Sequence, residues 1–257
     1  MKQYPLYLLF LLISLSACQD KENKKEETDS PYAKQTDSIL GLMTLEEKIG
    51  QLVLFTSGWD VTGPTMNADY ETYIKQGRVG ALFNAFTTKY TRELQRVAVE
   101  ETRLGIPLIF GYDVIHGHRT IFPIPLAESC SWDMELLEKS AQVAAAEAAA
   151  EGLHWTFAPM IDVARDPRWG RIAEGAGEDT YLGTAIARAK IRGFQGDDLS
   201  APNTIMACAK HFAAYGAAQA GRDYHTVDMS ENLLRETYLP PFKAAVEENV
   251  ATFMNSF

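Results

Sequence analysis

The feature that most constrains the fold is the alternation of short apolar runs with helix-forming segments along most of the chain. Apolar runs stand at 53–56, 79–84, 108–112, 155–161, 204–209 and 251–257. Segments with helical character separate them at 44–52, 66–77, 89–104, 133–151, 179–194 and 230–248, the last interrupted at Pro240. Local signals support these bounds. Thr44 with Glu47 makes a capping box, Gly105 and Pro107 close the third helix, and Gly152 stops an alanine-rich fourth one. Strands that are apolar throughout are buried on both faces, and strands joined through helices pair in parallel. The expected class is therefore α/β.

Two architectures fit that order, an open doubly wound sheet and a closed (β/α)8 barrel of the TIM type. The polar residues separate them. Asp113 follows the third run, Asp162 and an arginine-rich loop follow the fourth, Lys210 and His211 follow the fifth, and Asn255 interrupts the sixth. In a closed barrel such strand ends converge on one mouth, whereas an open sheet spreads them along an edge. A barrel is expected. With six of eight strands in hand, the chain is expected to be truncated after about the sixth.

The loop 162–179 (DVARDPRWGRIAEGAGED) crowds carboxylates, arginines, a tryptophan and glycines directly after an apolar run. It suits either an internal salt-bridge lattice or a pocket for a polyhydroxylated ligand. Asp113 reads either as a cap for the next turn or as a ligand carboxylate. A lysine and a histidine at the end of an apolar strand are costly to bury, so Lys210 and His211 point to function. Glu174-Gly175-Ala176-Gly177 is acidic, follows no strand directly and lacks the third glycine of a phosphate loop. No G-x-S-x-G or H-E-x-x-H occurs, which leaves a serine hydrolase elbow and a zincin unsupported. His116 and His118 lack a third ligand nearby, and Cys130 and Cys208 form no framework, so neither metal nor cofactor is expected. The net charge of -10 argues against a nucleic-acid partner.

At the amino end, the apolar run 6–13 follows Lys2 and is far shorter than the ~20 residues a bilayer core demands. It reads as an export signal. Leu15-Ser16-Ala17-Cys18 resembles the lipobox of bacterial lipoproteins, which implies a signal peptide over 1–17, lipidation at Cys18 and a membrane anchor. The other reading is an ordinary secretory signal with an incidental cysteine. Residues 18–35 are then a polar tether and 36–257 the body, held in the periplasm or at the outer membrane of a Gram-negative bacterium.

Three motifs in the body, Tyr112-Asp113-Val114-Ile115-His116-Gly117, Arg165-Asp166-Pro167-Arg168-Trp169-Gly170-Arg171 and Lys210-His211-Phe212, resemble those of glycoside hydrolase family 3. The resemblance runs from Met43 to the last residue. It implies a retaining exo-acting β-glucosidase that takes a β-glucoside or short oligosaccharide. It further implies that Asp113, Arg171, Lys210 and His211 hold the hydroxyls of the terminal sugar. Met254 and Phe257 match positions that shape the floor and wall of that pocket, and Trp169 is expected to brace the loop. The family's Asp nucleophile and its acid/base, a pair about 5 to 5.5 Å apart in retaining enzymes, are expected beyond Phe257. The 257 residues alone are accordingly expected to hydrolyse nothing. The family's β-N-acetylglucosaminidases follow Lys-His-Phe with Pro-Gly, whereas Ala213-Ala214-Tyr215-Gly216 follows here. A β-xylosidase and a noncatalytic glycan-binding lipoprotein remain as alternatives.

Overall fold

The structure, a computed structural model, describes residues 30–56 and 70–257. Cys18, the signal 1–17 and most of the expected tether lie outside the described residues. The chain divides into two compact units, Met1–Leu42 and Met43–Phe257. The first contributes helix α1, Ala33–Leu42, which has no buried residue. Among the described residues no helix is long and apolar enough to cross a membrane.

The second unit opens with α2, Leu45–Gln51, capped as its sequence requires. Thr44 Oγ1 accepts the Glu47 N–H at 3.2 Å, while Glu47 Oε2 accepts the Thr44 N–H at 2.8 Å. Strands β1 (Leu54–Thr56), β2 (Ala81–Phe83), β3 (Ile109–Tyr112) and β4 (Trp155–Thr156) then alternate with α3 (Tyr70–Lys75), α4 (Thr88–Glu100) and the pair α5 (Pro125–Ser129) and α6 (Met134–Ala150). Helix α7 (Thr180–Gln195) leads to β5 (Cys208–Phe212). A short turn α8 (Glu231–Leu233) then runs through a π-helical segment, Leu234–Tyr238, into α9 (Pro240–Glu247) and β6 (Thr252–Asn255). Asp133, Asp179 and Ser230 each cap the helix that follows, through a side-chain oxygen.

Among the described residues the pairings between strands are parallel and follow sequence order, β1-β2-β3-β4 in one sheet and β5-β6 in another. Parallel bridges at Trp155↔Met206 and Met160↔Lys210 join the two. The Thr156 N–H donates to Met206 O at 2.9 Å and the Ile161 N–H to Lys210 O at 2.9 Å. The strand order never reverses, as a doubly wound sheet would require, and matches a (β/α)8 barrel truncated after its sixth strand.

Several elements differ in extent from the sequence expectation. The fourth run pairs regularly only over Trp155–Thr156, because Pro159 has no N–H to give a ladder. Its carbonyls still accept from the fifth run, at Ala158 from Cys208 N–H and at Pro159 from Lys210 N–H. The fifth strand lies later than expected and shifts register against β6 between Lys210 and Phe212. Helix α4 stops at Glu100 rather than 104; beyond it Thr102 Oγ1 donates to Ala98 O and accepts the Gly105 N–H. The helix before Pro240 tightens poorly because neither Pro240 nor Pro241 can donate, and Leu239 N–H reaches back five residues to Leu234 O.

The core includes Leu82, Phe110 and Ala209 from strands, Ile191 from α7 and Ile205 from the segment leading into β5. Helices α6 and α7 cross closely at Gly193, where a Cβ would lie 2.4 Å from Glu138 O and 2.5 Å from the Ala141 Cβ. Between them the buried Lys190 Nζ donates to Ser140 Oγ at 2.8 Å and to Glu128. That pairing meets the cost of an interior ammonium.

Candidate functional site

Polar side chains from β3, β5 and the loop after β4 meet at the carboxyl ends of the strands. Lys210 stands in register with Met254 of β6 and bridges to Met160. It is only 2% exposed. Its Nζ donates to Asp113 Oδ2 at 3.4 Å and lies 3.8 Å from Glu174 Oε2. Asp113, directly after β3, sits at the rim with 44% of its side chain open. The surrounding protein still withdraws enough water to push its carboxyl above the ordinary carboxylate value, against the attraction of Lys210.

The loop after β4 carries Arg171 on a single 3₁₀ turn, Gly170–Glu174. In that turn residues three apart share a face, so Arg171 meets Glu174 in a bidentate pair, Nε to Oε1 at 2.6 Å and Nη2 to Oε2 at 2.8 Å. Arg171 Nη2 also donates to His211 Nε2 at 3.3 Å. The guanidinium lies over the rings of Tyr215 and Phe257, at 5.4 and 5.9 Å from their centroids. Burial opposes the charge on Glu174, but hydrogen bonds from Arg171 and the nearby Lys210 cation hold it below the usual range. Glu174 thereby links the Lys210–Asp113 pair to the Arg171–His211 pair.

His211 is 1% exposed. Its Nδ1–H and its backbone N–H both go to Asp162 Oδ2, at 2.7 and 3.0 Å. With Nδ1 donating to a carboxylate and Nε2 accepting from a guanidinium, the network assigns the neutral Nδ1–H tautomer. The other oxygen, Asp162 Oδ1, is buried without a hydrogen-bond partner.

Around these groups the loop after β4 is also a lattice. Asp166 and Arg168 pair bidentately, and the guanidinium brings the Asp166 carboxyl down to about 2. Arg165 Nε donates to the Tyr238 hydroxyl at 3.1 Å. Trp169 is buried and braces the loop: its Nε1–H donates to Asp223 Oδ1 at 2.9 Å, the oxygen that also accepts from the Tyr215 hydroxyl. Of the three arginines, Arg171 alone faces His211 and Lys210; Arg165 and Arg168 serve the lattice. Gly216 allows the backbones to meet, since a Cβ there would lie 2.3 Å from Val163 O.

The structure thus gathers Asp113, Arg171, Lys210 and His211 into one connected cluster. Met254 stands half-buried across from Lys210, and the Phe257 ring lies 5.3 Å from His211. Two members escaped sequence reasoning. Glu174 was visible only as part of a rejected glycine-rich segment, although its spacing of three from Arg171 carried the signal. Asp162 was noticed as a strand-end carboxylate, but nothing local joins it to a histidine 49 residues on. His116 and His118 go to separate partners, Phe122 O and Glu151 Oε2. Among the described residues no three metal-binding side chains assemble. The cluster therefore presents carboxylates that accept and cations that donate, the pairing that adjacent ring hydroxyls need.

Residues 44–257 match the Glycosyl hydrolase family 3 N terminal domain. The chain is 44% identical over 216 residues to the "Periplasmic beta-glucosidase" of Salmonella typhimurium, an overlap of 84% of this chain and 28% of that protein. It is 33% identical over 243 residues to a "Beta-xylosidase" of Formosa agariphila, covering 93% of this chain and 28% of that one. Among solved structures it is similar to a beta-glucosidase from Listeria innocua in complex with isofagomine, with TM-score 0.80 and 40% identity over 87% of this chain and 32% of that one. The chain spans less than a third of the length of these relatives.

Proposed function

Since this chain belongs to glycosyl hydrolase family 3, we propose that the full-length protein is a retaining, exo-acting β-glucosidase that removes terminal non-reducing β-D-glucosyl residues from oligosaccharides. In this reading residues 43–257 supply the pocket for the terminal sugar, and the nucleophile and acid/base come from chain beyond Phe257. Asp113 accepts from sugar hydroxyls, Lys210 and Arg171 donate to hydroxyl oxygens, and the His211 Nε2 lone pair accepts from a hydroxyl in competition with Arg171. Met254 and Phe257 form floor and wall. Export to the periplasm and anchoring through a lipidated Cys18 complete the proposal; a Cys18→Ala form is expected to leave the membrane fraction.

The observation that carries the reading is the state of Lys210. Among the described residues its buried ammonium makes one long hydrogen bond, to Asp113 at 3.4 Å, and has Glu174 as an ion-pair partner at 3.8 Å, beyond hydrogen-bond reach, so donors remain that could meet ligand oxygens. A purely structural lysine is bonded more tightly, as Lys190 is by two hydrogen bonds, to Glu128 and Ser140, at 2.8 Å or less. The xylosidase relative favours a second reading, because the two sugars differ by one hydroxymethyl group, a weak basis for discrimination. The deciding experiment is steady-state hydrolysis of aryl β-glucoside and aryl β-xyloside by the full-length protein. A higher kcat/KM on the glucoside is expected, with no turnover by the 257-residue chain. Preference for the xyloside would establish the second reading, and glucose binding without turnover of either would show a glycan-binding protein.

A further inference from the structure

We infer that Glu151 is a positioning residue for the terminal sugar: it clamps the loops after β2 and β3 to the end of α6 and so fixes the strand end that carries Asp113. The inference rests on the role proposed for Asp113 above. Stability alone gives little reason for a carboxylate at this position. Glu151 closes α6 at its carboxyl end, where the helix dipole disfavours an anion, and it is 8% exposed. Burial opposes its charge, but hydrogen bonds from His118 and Arg119 hold the carboxyl below the usual range.

Both oxygens are committed to the two loops. Oε2 accepts the Thr87 N–H at 3.3 Å and lies 3.0 Å from His118 Nε2, while Oε1 accepts from Arg119 Nε at 2.7 Å. One turn earlier on the same helix face, Glu147 accepts the N–H groups of Arg119 and Thr120 at 2.8 and 2.7 Å and the Thr120 hydroxyl at 2.6 Å. The loop after β2 is held under strain. Thr87 has φ 76°, a left-handed conformation that a β-branched residue enters only when its surroundings impose it. The two anchored loops meet at Tyr112, the residue before Asp113. Phe86, next to Thr87, packs against the Tyr112 ring at 5.0 Å between centroids, and His118 meets the same ring edge to face at 5.6 Å. Releasing the Glu151 bonds frees Phe86 and His118 together, and the backbone that aims Asp113 loses both supports. A binding group works only while its supporting shell holds it in place.

The test is a double-mutant cycle on the full-length protein, read as kcat/KM for an aryl β-glucoside. Glu151→Gln keeps the shape but accepts at one atom only, and it is expected to lower kcat/KM about tenfold, the lower end of what one lost charged hydrogen bond costs. In an Asp113→Asn background the same change is expected to cost less than about twofold, because the group it positions is already impaired. An equal loss in both backgrounds would make Glu151 a residue of general stability and overturn the inference, as would wild-type kcat/KM in Glu151→Gln. Should Glu151→Gln fail to fold, His118→Gln takes its place in the cycle: it keeps an N–H donor for Glu151 and removes the ring that meets Tyr112. No loss in His118→Gln, or a loss that is the same with Asp113→Asn, would overturn the inference equally. Wild-type kcat/KM in Asp113→Asn would instead remove the role given to Asp113, and absence of turnover by the wild type would remove the β-glucosidase reading; either failure is distinct from that of Glu151 and takes the inference with it.

Discussion

Replacing Lys210 by methionine separates a lysine kept for ligand binding from one kept for stability. Breaking a buried ion pair ordinarily costs about 3–5 kcal/mol, because one charge is left without water or partner. Here neither partner is stranded. Glu174 retains two hydrogen bonds from Arg171, and 44% of the Asp113 side chain already faces solvent. Methionine preserves the unbranched stem and removes an ammonium that is expensive to bury. Stability is therefore expected to stay within about 1 kcal/mol of wild type, with little change in the unfolding midpoint. Binding should respond differently. Hydrogen bonds from a charged group contribute about 1.5–3 kcal/mol, and their loss should raise the glucose Kd roughly 10- to 150-fold. Titration calorimetry and thermal unfolding of the full-length protein measure the two effects side by side. Unchanged glucose affinity together with a clearly lowered midpoint would show that Lys210 is a structural cation and refute the reasoning.

The raised pKa of Asp113 gives a pH signature. In the proposed pocket the Asp113 carboxylate is the acceptor, so glucose affinity should be flat at neutral pH and fall as pH drops through a value above the ordinary 3.8, and the fall should begin at still higher pH in Lys210→Met, which removes the opposing cation. Affinity that persists down to 3.8 would contradict this. For His211, imidazole ¹⁵N shifts of the wild-type protein should show a protonated Nδ1 and an unprotonated Nε2; the reverse tautomer would remove the role given to Asp162. Gly193→Ala should lower stability by about 1–3 kcal/mol, since the new methyl group meets Glu138 O and Ala141 across the α6–α7 crossing, and an unaltered midpoint in thermal unfolding would mean that the helices separate easily.

The fold class was legible because its cause is local. Apolar runs such as 108–112 and capping residues such as Thr44, Asp133, Asp179 and Ser230 state where strands and helices lie within a few neighbours' reach. Polar groups at successive strand ends even indicated a shared mouth, since parallel strands linked by helices bring their carboxyl ends to one side. Element ends were less legible, because Pro159 and the Pro240-Pro241 pair act through hydrogen bonds they cannot make to partners elsewhere. The site needed tertiary structure most. Arg171, on the 3₁₀ turn, meets Glu174 and His211, whereas Arg165 and Arg168, which precede that turn, meet Tyr238 and Asp166, and sequence alone does not tell the three apart. The tautomer of His211 was likewise decided by groups many residues away, because hydrogen bonds depend on distance in space, which sequence spacing sets only within an element.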